Sequence, residues 1–220
     1  MATTSPHAVG RFRPAAELFC NQLDWLNSWH SFSFSHHHDP DWMGFGMHPH
    51  RSMEIITVMV EGELTDEDSM GHRDVLHDGE VQCMSAGSGV VHGEINNSLV
   101  PCRLLQIWVE PQNPGGSPHY EQKAFPLTRG CTYLLDTAGE AGAMAIKRQR
   151  RLRQSQQQPG DSLTLPLAAN RKGWQQIIDG NITLNGQPLQ RGDGLGFNND
   201  QAQAMVRSCS DADLLLFELQ

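Results

Sequence analysis

A chain of 220 residues, 38% hydrophobic and 19% charged, has room for one large β domain or two small ones and the composition of a globular protein. A formal net charge of −9 excludes the basic field that nucleic-acid phosphates or an anionic bilayer would need, so neither partner is expected. Five scattered cysteines without a CxxC pair exclude a zinc ribbon and a thioredoxin-type motif; with no signal-like or bilayer-length apolar run, they read as reduced thiols of a cytoplasmic protein.

In chain order, two short helical candidates come first, at 14–20 and 21–29. Short β-rich runs follow: EIITVMV from Glu54, closed by Glu61-Gly62, then runs at 81–84, 103–109 and 214–219. Asp78-Gly79, Gly87-Ser88-Gly89, Asn113-Pro114-Gly115-Gly116 and Asn185-Gly186 are the turn signals between them. This spacing predicts an all-β sandwich or barrel rather than βαβ units. The Pro- and Gly-rich stretch 111–126 reads as a linker. The basic residues Lys147, Arg148, Arg150, Arg151 and Arg153 read as a solvated strand edge, and 155–160 as the loosest interior segment.

An internal repeat runs through these elements. Val60-Glu61-Gly62-Glu63-Leu64-Thr65 matches Ile178-Asp179-Gly180-Asn181-Ile182-Thr183, and a second turn follows each at Gly79 and Gly192. Two copies of one β unit divide the chain into an N-terminal domain, 1–122, and a C-terminal domain, 123–220.

The chemistry-bearing residues lie in the first copy. In His48-Pro49-His50 the imidazoles sit at i and i+2, which on a strand sends both to one face. His92-Gly93-Glu94 repeats the spacing with one imidazole and one carboxylate. If the two segments face each other inside a barrel, three nitrogens and one oxygen converge, a donor set suited to iron(II), nickel, copper, manganese, cobalt or zinc. Gapless counting along the repeat sets Pro166, Ala168, Met205 and Arg207 opposite His48, His50, His92 and Glu94. With no histidine after His119, the C-terminal copy is expected to be degenerate and metal-free. His72, His77 and His119 read as surface or turn residues, and His36-His37-His38 as a loop.

The runs GFGMHPHRSMEIITVMVEGELTDEDSMG (44–71) and GEVQCMSAGSGVVHGEIN (79–96) resemble the two cupin motifs of the pirin family, as do WHSFSF (29–34), LQIWVEP (105–111) and LLLFEL (214–219). The resemblance implies a bicupin, two β-barrel or jelly-roll domains with a few short helices. It also implies one divalent transition metal, foremost iron(II), on His48, His50, His92 and Glu94. Glu54, where other cupins carry a ligand, is expected to orient an imidazole instead. The segment before His48 is shorter than is usual in the family, which bears on pocket shape. Some bacterial relatives of this kind are flavonol dioxygenases. The implied activity is therefore O2-dependent cleavage of a small aromatic, flavonol-like substrate such as quercetin, releasing carbon monoxide, with Glu94 as general base. The alternative it implies is a metal- or redox-sensing binding protein that regulates a protein partner without turnover.

Overall fold

The computed structural model describes residues 28–34, 44–126, 128–147, 151–165, 172–198 and 204–219. Most of these are strand, in two compact units. The described residues up to Pro126, with Met144–Lys147, make the first unit; Thr128–Ala143 and those from Arg151 onward make the second. No helix among them is long and apolar enough to cross a membrane.

In the first unit, β1 (Ser28–Phe34), β2 (Gly44–His50), β3 (Glu54–Glu61), β4 (Glu63–Asp68), β5 (Arg73–His77), β6 (Glu80–Ser85), β7 (Val90–Ile95), β8 (Cys102–Val109) and β9 (His119–Ala124) form two sheets. Their orders are β1-β8-β3-β6-β9 and β2-β7-β4-β5. Buried apolar residues pack the unit, in clusters that include the following. Met59, Leu64, Leu76, Cys102 and Leu104 form one. Ile55, Met84, Ala86 and Val90 form another. Full burial of each large aliphatic side chain stabilises by about 1.5–3 kcal/mol, the main force holding the sheets face to face.

The first helical candidate, and most of the second, lie outside the described residues, as do His36, His37 and His38. The end of the second is strand: Ser28 and Trp29 pair with Trp108 and Ile107 on β8. The expected linker also contains a strand, since β9 pairs along β6 from Ser85↔His119 to Glu80↔Ala124. Its polar sequence, HYEQKA, shows too little apolar alternation to announce it.

The short strand β11 (Met144–Ala145) belongs to the first unit. The second unit contains β10 (Gly130–Asp136), β12 (Arg151–Gln157), β13 (Ser162–Leu165), β14 (Lys172–Asp179), β15 (Asn181–Leu184), β16 (Gln187–Gln190), β17 (Gly194–Asn198), β18 (Ala204–Ser208) and β19 (Ala212–Leu219). One sheet runs β10-β12-β19-β14-β17 and the other β13-β18-β15-β16, the pattern of the first unit again. The basic run is exposed at Lys147 and Arg151, as expected, and Arg148 and Arg150 lie outside the described residues, but Arg153 is not on a solvated edge. Strand β12 lies between β10 and β19, and Arg153 is buried 2.9 Å from Glu218, its guanidinium 4.7 Å from the Tyr133 ring centroid. Ser155 and Gln157, expected in a loose segment, are buried on the same strand. Carboxylate partners on neighbouring strands make this possible, and local sequence does not show them.

The repeat is physical. Gly62 links β3 to β4 with φ +77°, and Gly180 links β14 to β15 with φ +87°. A Cβ at Gly62 would lie 2.9 Å from the Pro101 carbonyl oxygen, and one at Gly180 would lie 2.2 Å from that of Asp211, each just before the equivalent strands β8 and β19. Only glycine meets both demands, a left-handed φ and a close backbone approach.

Strand register corrects the residue-by-residue equivalence. Asp66 pairs with Glu94 and Asp68 with His92, whereas in the second unit Leu184 pairs with Val206. Val206 and Ala204, rather than Arg207 and Met205, therefore stand where Glu94 and His92 stand. Likewise Leu165, not Pro166, faces Ala204 as His48 faces His92. Gapless counting fails by one residue because the connections of the two copies differ in length.

Candidate metal centre

The centre is assembled on the β2–β7 ladder. His48 pairs directly with His92 and His50 with Val90, after a register shift between Phe45 and His48. The end of β2 is tied to the turn before β7 by the Ser52 amide, which donates to the Gly87 carbonyl at 2.9 Å. The i, i+2 spacing places His48 and His50 side by side, as expected, with ring centroids 4.8 Å apart. The His92 ring stands 4.5 Å from His48 and 5.1 Å from His50. One ring nitrogen from each of the three lies within 4.8 Å of the others.

The hydrogen bonds select which nitrogens face this point. Nδ1 of His48 is 2.8 Å from the Gly46 carbonyl, which only accepts, so Nδ1 carries the proton and Nε2 keeps its lone pair. Nδ1 of His92 donates to Asp66 Oδ2 at 3.1 Å, leaving its Nε2 unprotonated. Nε2 of His50 and Nε2 of His92 are buried with no hydrogen-bond partner among the described residues. Buried polar nitrogens are normally satisfied, and an unpaired one costs about 1–3 kcal/mol. Lone pairs held this way fit a metal ion, which would satisfy them.

Glu94 is fully buried beside this group. Its two oxygens accept from Gln106 Nε2 at 2.8 and 2.7 Å, and Oε1 also accepts from Thr57 Oγ1 at 3.4 Å. Trp108 Nε1 donates to Gln106 Oε1 at 2.9 Å, which fixes the amide with its NH2 toward Glu94. The same indole packs edge-on against His50, with centroids 5.1 Å apart. Glu94 groups at ligand distance with His92 and Asp66, while the three imidazoles form a group of their own; His92 belongs to both.

Glu54 does not meet an imidazole. It is buried and accepts from Ser85 Oγ at 2.7 Å, and the expected orienting role falls to Asp66. Its place at the start of β3, opposite Ser85 and Val109, turns its carboxylate toward β6. His72, His77 and His119 stay out of the centre, as expected. His72 is hydrogen-bonded to Asp68 at 2.8 Å and stacked on Tyr120, and His77 and His119 are exposed.

Electrostatics divide the histidines. Burial, reinforced by His92 and His48, holds His50 down to about 4. Burial also lowers His48, against the Gly46 hydrogen bond. Burial pulls His92 down too, but its hydrogen bond to Asp66 and the charges of Glu94, Asp66 and Asp68 outweigh this, and His92 ends above the usual imidazole value. Burial likewise pushes Glu94 up. Two consequences follow with opposite signs. His50 is depressed in the folded chain, so the unfolded chain takes up its proton first, and folded stability from this group falls between pH 6.5 and about 4. His92 is raised, so protons compete with a metal at this ring already above pH 6.5. Metal affinity measured by chelator competition should therefore weaken by about tenfold per pH unit once pH drops below the His92 value. A dissociation constant unchanged from pH 8 to 5 would remove His92 from the ligands.

The fold and the centre define a bicupin whose polar, histidine-bearing site lies in the first of its two units. Comparison with known proteins agrees. Residues 12–109 match the Pirin family, and residues 134–219 match the family described as the quercetinase C-terminal cupin domain. A quercetin 2,3-dioxygenase of Escherichia coli K12 is 35% identical over 213 residues, covering 89% of this chain and 92% of its own. A pirin-like protein of Caulobacter vibrioides is 33% identical over 215 residues, covering 88% and 92%. The crystal structure of the bacterial pirin YhhW from Escherichia coli in complex with nickel(II) superposes with a TM-score of 0.78 at 31% identity, covering 94% of this chain and 97% of that one. The chain belongs to the pirin family.

Proposed function

We propose that this chain is a metal-dependent dioxygenase that cleaves a flavonol-like substrate with O2, holding one divalent ion, foremost iron(II), on His48, His50, His92 and Glu94. The observation that carries the reading is the convergence of three imidazoles with two buried, unpartnered Nε2 atoms. The activity and ligand named for its relatives, quercetin 2,3-dioxygenase and nickel(II), support it. An ion at this point would supply Lewis acidity toward a substrate hydroxyl and reactivity toward dioxygen. The chain's own residues do the rest. Glu94, made more basic by burial, accepts the proton of the flavonol 3-hydroxyl, and Gln106 and Thr57 hold its carboxylate in place. Trp108, packed edge-on against His50, helps keep that ring's orientation. Oxygen-electrode assays across a flavonol panel test the reading. Quercetin should consume O2 and release an equimolar amount of carbon monoxide. No O2 uptake by protein loaded with iron(II), nickel(II) or any other candidate ion would overturn it.

A further inference from the structure

The second unit is an internal control for the first: it keeps the strand pairing without histidines. Register places Leu184 where Asp66 stands and Val206 where Glu94 stands. By the pairings of Thr57 and Gln175, Leu195 stands where Gln82 stands and Leu216 where Gln106 stands. All four of these apolar residues belong to one buried cluster. The inner face of this fold is therefore stable when filled with leucine and valine, and the four polar residues of the first unit are not needed to build it.

Asp66, a buried carboxylate like Glu94, is costly to explain structurally. Its side chain is buried, and the carboxylate uses one oxygen, Oδ2, to accept both from His92 Nδ1 at 3.1 Å and from Gln82 Nε2 at 3.0 Å. A carboxylate in the interior carries a large desolvation cost that a leucine avoids. What it provides is a fixed acceptor for His92 Nδ1–H, with Gln82 holding the acceptor still. We infer that Asp66, braced by Gln82, is the positioning residue of the centre. It locks His92 in the tautomer and ring orientation that present Nε2 beside His48 and His50. The metal-affinity part of this inference rests on the proposed histidine site; the tautomer part does not.

The substitutions Asp66→Leu and Asp66→Asn separate the roles. Leucine has its precedent at Leu184, so the variant should fold, whereas asparagine keeps an acceptor oxygen for His92 without the charge. Nitrogen-15 NMR of the metal-free protein reads the tautomer, and chelator competition with nickel(II) reads affinity. At a pH where His92 is neutral, the wild type should show it protonated at Nδ1 only. Asp66→Leu should show a tautomer mixture and bind nickel(II) about 10- to 100-fold more weakly, and Asp66→Asn should restore the tautomer and part of the affinity. If Asp66→Leu keeps both the wild-type tautomer and affinity while His48→Ala loses nickel(II), the inference is wrong and the histidine site stands. If His48→Ala binds nickel(II) as the wild type does, the site itself fails, and the metal-free spectra still decide whether Asp66 sets the His92 tautomer.

Discussion

His48→Ala and His92→Ala should both lose stoichiometric metal, yet only His92→Ala should also weaken the metal-free fold. One ligand's share of a four-ligand site is about a quarter of roughly 10–16 kcal/mol, so either substitution should raise Kd by about 10²–10³. The two histidines differ in what else they touch. His48 is half-exposed and, among the described residues, hydrogen-bonded to the Gly46 carbonyl alone, so alanine there leaves no buried group stranded. His92 is fully buried and donates to Asp66, so alanine there opens a cavity and removes one of two donors from a buried carboxylate. That loss should cost about 1–3 kcal/mol of stability before any metal is considered. Urea unfolding of the apo proteins, with circular dichroism confirming native β structure, separates the two effects. Retention of stoichiometric metal by either variant would break the ligand assignment.

The second large effect concerns the carboxylates. Glu94→Ala should abolish turnover and weaken metal binding by about 10²–10³, as removal of an anionic ligand and a base together. Glu54→Ala should leave metal content intact and lower stability by about 1–3 kcal/mol, because the buried Ser85 hydroxyl loses its acceptor. Metal analysis and melting temperatures of the two variants give this double dissociation. If Glu54→Ala loses more metal than Glu94→Ala, the carboxylate ligand belongs on β3.

The sequence displayed the histidines because their chemistry is local: two residues at i, i+2 on a strand share a face whatever the rest of the fold does. The repeat was legible for a similar reason, since Gly62 and Gly180 answer the same backbone demand. Asp66 was missed. In the run ELTDED it reads as one of four surface acids, yet its parity with Leu64 was the available signal, because alternate residues of a strand share a face and Leu64 is buried. Glu54, which stands where other cupins carry a ligand and has the parity of His48 and His50, was given the orienting role that Asp66 holds. Parity gives the side of a strand but not the neighbour across it, and that neighbour is Ser85 rather than a histidine. Arg153 was misread for the same reason, since its partner Glu218 lies 65 residues away.

The role of Gln106 and Trp108 was equally hidden. Nothing in LQIWV says that the glutamine amide faces Glu94 or that the indole fixes it, because both relations run between strands and between alternate residues of one strand. The comparison of the two units recovers part of this after the fact. Where Leu184, Leu195, Val206 and Leu216 fill one unit, Asp66, Gln82, Glu94 and Gln106 occupy the other, and the difference marks the residues that serve the site rather than the fold.

A crystal structure of the protein loaded with a single divalent metal, with the ion located by anomalous scattering, tests the central claim most directly. One ion is expected at about 2.0–2.2 Å from Nε2 of His48, His50 and His92 and from a Glu94 oxygen, with Asp66 still bonded to His92 Nδ1. An ion bound elsewhere, or through fewer than three of these imidazoles, would contradict it.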